Sequence, residues 1–209
     1  IIGFFYGMYR DIDECIEPPR CGATMKVVIA GGGTGGHLFV GIALAEELVA
    51  RDSNTDILFI GTKRKMETIA LSQKGFPLKR IAAEGIKGRG VFRQIRSAVK
   101  IPWGIMQSVF LLWQFKADIV IGVGGYSSGP VAIAALFMRL PIVLHEQNIL
   151  PGLTNRLLGR FADRIFISFA ESARHFNSKK TRLAGNPIRR EILTTKAVAE
   201  RSELFTVLV

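Results

Sequence analysis

Seven short apolar runs alternate with longer stretches of helical periodicity along the chain. Most of the runs are continuously apolar and bounded by Gly, Pro or Asp, which is typical of strands covered on both faces. The stretch GIALAEELVAR at 41–51 repeats apolar residues at i, i+3 and i+4, which predicts a helix. The alternation indicates an α/β fold with a doubly wound parallel sheet. Strands are predicted at 25–30, 56–60, 77–82, 118–123, 141–145, 164–168 and 181–184.

Three glycine-rich or polar segments directly follow predicted strands. They are GGGTGGH at 31–37, GGYSSGP at 124–130 and EQN at 146–148. Ligands of parallel α/β sheets bind beyond the carboxyl ends of the strands. We therefore expect the three segments to converge on one crevice.

The first segment contains the dinucleotide-binding spacing G-x-G-x-x-G, at Gly31, Gly33 and Gly36. An NAD site also needs an acidic residue at the end of the second strand, where this chain has TKRK at 62–65. NAD is therefore disfavoured, but Arg64 could accept the 2′-phosphate of NADP. An NADP-binding Rossmann oxidoreductase stays open as the alternative. In either case the loop offers backbone N–H groups at a helix N-terminus, which is a site for phosphate or another anion.

Several polar side chains in these segments are candidates for chemistry. His37 falls in the first helical turn, where the helix dipole disfavours the imidazolium. A neutral imidazole could accept a proton from a substrate hydroxyl, although packing or capping would also explain a histidine here. Tyr126, Ser127 and Ser128 supply hydroxyls for a sugar or phosphate, or the two serines cap a helix. The run HEQN, which starts at His145, follows an apolar strand and favours function over packing.

Composition narrows the class of partner. The net charge of +11 indicates an anionic partner, and the chain has none of the aromatic-basic motifs of RNA-binding modules, so we expect no nucleic acid. Residues 1–24 are predicted to be an extension outside the fold. They contain both cysteines, Cys15 and Cys21, and a formal D-x-D at 11–13, and we expect no metal site there. No cofactor is expected either.

Four motifs together resemble one family. GGGTGGH, GVGGYSSGP, HEQN followed by GLTNR, and AGNPIR occur in this order in the N-terminal half of the undecaprenyl-diphospho-muramoylpentapeptide N-acetylglucosaminyltransferases of bacterial peptidoglycan synthesis. The resemblance covers about residues 25–209. It implies a two-domain GT-B glycosyltransferase, of which this chain holds the Rossmann-like N-terminal half. The implied reaction moves GlcNAc, with inversion, from UDP-GlcNAc to the C4 hydroxyl of the muramoyl sugar of lipid I, which gives lipid II.

The resemblance also implies roles for single residues. His37 is expected to be the catalytic base or to position it, and Glu146 is the competing candidate. Acceptor contact is implied for Tyr126. UDP-GlcNAc contacts are implied for Thr34, Gly35, Gly36, Asn148 and Arg189.

The same resemblance divides the chain into regions. We expect residues 25–186 to form an acceptor-binding domain, and 187–209 to be a linker and the start of a truncated donor-binding domain. Most of the UDP-GlcNAc site would then lie outside this chain, which would be inactive alone.

The membrane-embedded lipid I implies a peripheral enzyme on the cytoplasmic face of the bacterial plasma membrane. Segment 87–116 interleaves basic and aromatic residues, as surfaces on anionic lipid do. Its part at 101–115 is too short and too polar for a transmembrane helix, and we expect the residues after Pro102 to be largely core. The expected membrane patch comprises Arg89, Phe92, Arg93, Ile95, Arg96 and Lys100.

Overall fold

The computed structural model describes residues 24–83 and 91–189, and of residues 91–99 it describes only the backbone. All seven predicted strands are present, with ends shifted by at most two residues. The 11–13 motif, both cysteines and nearly all of the predicted extension lie outside the described residues. The elements are β1 (Lys26–Gly31), α1 (Gly35–Arg51), β2 (Asp56–Gly61), α2 (Lys65–Gln73), β3 (Leu78–Arg80), α3 (Val91–Phe115), β4 (Ile119–Gly124), α4 (Ser128–Phe137), β5 (Ile142–Glu146), α5 (Leu153–Leu158), β6 (Arg164–Ile167), a 3-10 helix (Ala170–His175) and β7 (Thr181–Leu183).

The strands form one parallel sheet in the order β3-β2-β1-β4-β5-β6-β7. The chain winds outward from β1 to β3, then returns to the other side of β1 and winds outward again. Val28 in β1 pairs with Leu58 in β2 and with Val120 in β4. The doubly wound prediction is thus confirmed, and the direction of winding reverses between β1 and β4. Loops at such a switch point diverge and leave a crevice for ligands.

Alternate residues of each central strand face two separate cores, which explains why the strands read as continuous apolar runs. Val27 and Ile29 pack on one face with Phe59 and the apolar side of α1. Val28 and Ala30 face the opposite layer, which contains buried residues of α3 and α4. Each layer therefore fixes helices over one side of the sheet, with their loops at the carboxyl ends of the strands.

The exposed surface of α3 corrects one expectation. Beyond Pro102 only a narrow line at Gly104, Ser108 and Leu112 is buried. A Cβ on Gly104 would lie 2.6 Å from the Ala82 carbonyl oxygen, so the small residues let α3 pack close to its neighbours. Residues 103–115 are mostly apolar, but the sheet layer covers only one side of this segment. Ile105, Val109, Leu111 and Phe115 are partly buried against that layer, so the prediction of a largely core segment was right for this side of the helix and wrong for the other. Four side chains, which we call the exposed stripe, are more than half exposed: Trp103, Met106, Phe110 and Trp113.

No helix in the described part of the chain combines the length and apolar character that crossing a bilayer requires.

The backbone contact between the loops after β1 and β4 leads to a stability prediction. Gly125 has a φ of +88°, and a Cβ there would overlap the Gly32 carbonyl oxygen. Gly125→Ala should therefore lower the free energy of unfolding by about 3 kcal/mol, through strain and a forced separation of the loops. Gly152→Ala is the matched control, because nothing lies within 4 Å of a Cβ there. Urea denaturation followed by circular dichroism measures both, and equal losses would contradict the close approach.

Candidate functional site

A cleft of about 440 Å³ opens at the carboxyl ends of β1, β4 and β5. All three predicted segments contribute to it, so their convergence on one crevice is confirmed. Its polar lining comes from the glycine loop and His37, and its apolar lining comes from side chains of α3, α4 and α5. The lining includes Gly32, Gly33, Thr34, His37, Lys100, Ile101, Tyr126, Ile133, Glu146, Leu153, Asn155, Leu157 and Leu158.

A buried carboxylate that the sequence analysis did not identify binds the glycine loop. Glu67, in the first turn of α2, is 1% exposed and accepts the Gly33 N–H at 2.7 Å. It also accepts the backbone N–H and the hydroxyl of Thr62, at 2.7 and 2.9 Å. The loop therefore has fewer N–H groups for a ligand than its sequence indicates. An acidic residue six positions after the end of the second strand was the available signal.

His37 is half-buried and lines the cleft. Its Nδ1 is 2.6 Å from the Thr34 hydroxyl oxygen, and its ring packs against Gly124, where a Cβ would lie 2.8 Å from Nε2. Burial lowers the His37 pKa below its usual 6.5, although the nearby Glu146 charge opposes the shift. The expectation of a neutral imidazole is thus confirmed in direction, with burial as the principal cause.

The segment after β4 brings only part of its predicted hydroxyl cluster to the cleft. Tyr126 lines the cleft, and its ring lies beside Gly33. Ser127 and Ser128 are fully buried and do not line it, so the prediction that they offer hydroxyls to a ligand was wrong. Ser127 occupies the N-cap position of α4 but makes no side-chain capping hydrogen bond. The reason is that the glycine turn directs both serines into the protein, where Ser128 approaches Gly122 in β4.

Glu146, at the end of β5, is also almost completely buried. Its Oε1 accepts the backbone and side-chain N–H groups of Asn148, both at 2.9 Å. Its Oε2 accepts the Gly152 N–H at 3.1 Å and the Asn155 side-chain amide at 3.0 Å. The carboxylate therefore orders the loop between β5 and α5 while one side of it faces the cleft.

His145 anchors the segment after β7 to the sheet. It is completely buried, with Nε2 3.2 Å from the Gly185 carbonyl oxygen and Nδ1 3.2 Å from the Gln147 side-chain nitrogen. Gln147 also donates to the Val123 carbonyl oxygen in β4. Burial lowers the His145 pKa to about 4, so the ring is neutral near pH 7. His145 therefore bonds to the backbone at Gly185 and does not line the cleft.

The predicted UDP-GlcNAc residues lie at the α1 N-terminus, in the loop after β5 and beyond β7, and most of them do not line the cleft. The guanidinium carbon of Arg189 lies 4.3 Å from the centre of the Phe39 ring, which packs beside Gly35. Arg189, Gly35 and Gly36 are absent from the cleft lining, whereas Thr34 borders it. Asn148 is exposed outside the cleft and bonded to Glu146. Of these residues only Thr34 lines the cleft with His37, and the binding role of the whole set stays a prediction.

Most of the expected membrane patch cannot be placed. Arg89 lies outside the described residues, and only the backbone is described for Phe92, Arg93, Ile95 and Arg96. Lys100 is half-buried and lines the cleft.

Comparison with known proteins gives a consistent result. Residues 27–167 match the glycosyltransferase family 28 N-terminal domain. A UDP-N-acetylglucosamine–N-acetylmuramyl-(pentapeptide) pyrophosphoryl-undecaprenol N-acetylglucosamine transferase from Syntrophus aciditrophicus is 50% identical over 187 residues, which cover 89% of this chain and 52% of the relative. The enzyme of the same name from Geobacter sulfurreducens is 49% identical over 179 residues, covering 86% and 49%.

A solved structure agrees with these relatives. The crystal structure of Acinetobacter baumannii MurG aligns with a TM-score of 0.66 at 27% identity, over 79% of this chain and 46% of that one. This chain spans about half the length of the curated relatives it matches.

The doubly wound sheet and the cleft at its switch point define the N-terminal, Rossmann-like half of a GT-B glycosyltransferase. The chain belongs to glycosyltransferase family 28. The alternative NADP-dependent oxidoreductase receives no support from the comparisons. The inward-pointing Gly33 N–H also argues against it, because a dinucleotide pyrophosphate approaches the backbone at the second glycine of the motif.

The neutral, buried His145 makes stability depend on pH. Its pKa is about 4 in the folded chain and near 6.5 when exposed, so the unfolded chain binds an extra proton between these values. The free energy of unfolding should therefore fall as the pH drops from 6.5 to 4, by on the order of 3 kcal/mol in total.

The variant His145→Gln keeps a side-chain N–H for the Gly185 carbonyl and has no titrating ring. This variant should be less stable than the original chain at pH 7. Its free energy of unfolding should not show the further fall between pH 6.5 and 4 that His145 causes. Urea titrations of both chains between pH 4 and 7 measure the effect, and parallel pH curves would show that His145 is not its source.

Proposed function

We propose that this chain is the acceptor-binding half of a transferase that moves GlcNAc from UDP-GlcNAc to the C4 hydroxyl of lipid I, with inversion. Residues 25–186 would form the acceptor domain, and the donor-binding domain would begin after the linker at about 187. About 50% identity to enzymes named for this transfer supports the substrate pair. The observation that carries the proposal is His37, held by Thr34 in a cleft that also has a large apolar lining.

The shape and lining of the cleft suit a sugar attached to a lipid. The polar lining offers Thr34, His37 and Tyr126 to sugar hydroxyls. The apolar lining, from Ile101, Ile133 and the leucines of α5, would receive the first part of a polyprenyl chain. A soluble sugar acceptor would give no reason for this apolar half.

The position of His37 supports proton transfer. If Nδ1 donates its hydrogen to the Thr34 hydroxyl oxygen, Nε2 carries the lone pair that a general base needs. As the acceptor O4 attacks the anomeric carbon, its proton passes to Nε2. The new C1–O4 bond forms while the bond from C1 to the diphosphate oxygen breaks, and UDP leaves with that electron pair. Attack from the face opposite UDP gives inversion.

Glu146 is better suited to positioning than to taking this proton. Its two carboxylate oxygens already accept four hydrogen bonds from Asn148, Gly152 and Asn155. Its charge nevertheless stabilises an imidazolium at His37, because Glu146 raises the His37 pKa against the effect of burial. The proposed roles are therefore His37 as base and Glu146 as the group that stabilises the protonated base and orders the loop.

The donor would bind on the other face of the α1 N-terminus. Thr34, Gly35 and Gly36 lie in or before the first helical turn, whose N–H groups favour a diphosphate. Arg189, stacked on Phe39 nearby, adds positive charge on the same side. Asn148 would complete this set from the loop after β5. The contribution of this chain to UDP-GlcNAc binding would be limited to these contacts.

The base assignment predicts the kinetics of a fused enzyme. We would join this chain to the C-terminal half of the Syntrophus aciditrophicus relative and follow transfer of labelled GlcNAc to a lipid I analogue. His37→Ala should lower kcat by about 10²- to 10⁴-fold, the usual contribution of a general base. The kcat/KM of the unsubstituted fusion should be flat near neutral pH and fall below pH 6.5, because the His37 pKa lies below that value.

His175→Ala is the matched control, since His175 lies in a separate groove beside α5 and should leave kcat unchanged. Retention of activity in His37→Ala, with loss in Glu146→Gln, would transfer the role of base to Glu146. An inactive but folded fusion would contradict the proposed reaction itself.

We also propose that the protein contacts an anionic membrane surface peripherally, on the cytoplasmic face where its lipid substrate would be reached. The exposed stripe on α3 supports this contact: its four side chains are 53–68% exposed, and the rings of Phe110 and Trp113 are 6.4 Å apart. The apolar lining of the cleft includes Ile101 of the same helix. The basic patch from Arg89 to Lys100 immediately precedes the stripe in sequence.

The double variant Trp103→Ser/Trp113→Ser should bind vesicles of mixed anionic and zwitterionic lipid at least tenfold more weakly than the original chain, because interfacial binding scales with buried apolar area. Sedimentation with the vesicles measures this. Ile69→Ser on α2 is the control, because this exposed residue lies on the opposite side of the sheet. Equal loss in the control, or none in the double variant, would contradict a role for the stripe.

A further inference from the structure

We propose that Glu67 determines which chemical group the glycine loop accepts: it excludes phosphate from the inner turn at Gly33 and restricts anion binding to the outer turn at Thr34–Gly36. Glu67 thus acts as a positioning and specificity-determining residue. This proposal rests on the proposed function only for the identity of the natural substrates.

The first support is the direction of the Gly33 N–H. In a dinucleotide loop the second glycine lets the backbone approach the pyrophosphate. Here the N–H of that glycine points into the protein and donates to Glu67 Oε1 at 2.7 Å. A ligand phosphate at the inner turn would have to displace a charge-assisted hydrogen bond that is already made.

The second support is the charge itself. Glu67 is 1% exposed and no basic side chain among the described residues forms an ion pair with it, so its partners are N–H and O–H groups alone. A phosphate at Gly33 would therefore meet a fixed negative charge only slightly screened by water. Like charges in such a setting repel strongly.

The third support is that two loops are built around this carboxylate. A Cβ at Gly32 would overlap Glu67 Oε1, and one at Gly61 would lie 2.6 Å from Oε2. Thr62, at the end of β2, adds two hydrogen bonds to the same group. Glu67 thereby ties the loop after β1 to the end of β2, and this fixes the turn that carries Thr34 and His37.

The outer turn has N–H groups that an anion could bind. Within the described residues, the N–H groups of Thr34, Gly35 and Gly36 have no protein hydrogen-bond partner. The cleft side of the loop would then receive a neutral group such as a sugar hydroxyl, whereas a diphosphate would bind at the outer turn.

The test uses the 209-residue chain labelled with ¹⁵N-glycine and titrated with inorganic diphosphate. In the original chain the amide signals of Gly35 and Gly36 should shift, and that of Gly33 should not. In Glu67→Gln the Gly33 signal should also shift, and the dissociation constant should fall at least tenfold. Glu46→Gln is the matched control: it removes a carboxylate paired with Lys74 at 2.7 Å, away from the loop, and should behave like the original chain.

Glu67→Asp separates charge from contact, because its shorter carboxylate keeps the charge but retreats from Gly33. Hydrogen exchange at Gly33 should quicken at least tenfold in this variant, while diphosphate affinity stays that of the original chain. The proposal is overturned by a Gly33 shift in the original chain, by equal affinities in Glu67→Gln and Glu46→Gln, or by absence of binding in every folded form. Sugar transfer is not measured, so failure of the proposed reaction would leave this result intact.

Discussion

The close approach of two backbones at the switch point is the constraint on which the site depends. Gly32 and Gly125 face each other with no room for a side chain, and the neighbouring Gly124 leaves space for the His37 ring. Because the chain winds in opposite directions from β1 and β4, their loops meet here and diverge above. The glycines are therefore needed for a contact between loops as well as for any ligand.

Two buried carboxylates stabilise this arrangement from within. Glu67 accepts three hydrogen bonds and joins the loop after β1 to the end of β2, whereas Glu146 accepts four and joins the end of β5 to the loop and helix that follow it. A buried carboxylate costs several kcal/mol unless such donors compensate it. Removing either carboxylate would leave several loop N–H groups unpaired, so loop geometry and cleft chemistry are coupled through the same atoms.

The two histidines near the cleft show how burial separates roles. Both have a lowered pKa, because both imidazoles are removed from water. His145 is completely enclosed and uses both ring nitrogens to hold neighbouring groups. His37 is only partly enclosed and lines the cleft, and its Nδ1 faces the Thr34 hydroxyl, which leaves Nε2 without a hydrogen bond to the described residues. The sequence alone could not distinguish them, because both lie in polar segments at or just beyond the carboxyl end of a strand.

The sequence by itself determined the seven strands, the doubly wound topology and the convergence of three loops, because apolar runs, glycine turns and strand order are local or follow from general winding rules. Only the tertiary structure decided which side chains reach the cleft. Ser127 and Ser128 are buried, and aromatic residues of α3 are exposed. The Gly33 N–H donates to Glu67, which lies in a different segment of the chain. Each outcome depends on contacts between residues distant in sequence, and periodicity and motif spacing do not encode such contacts.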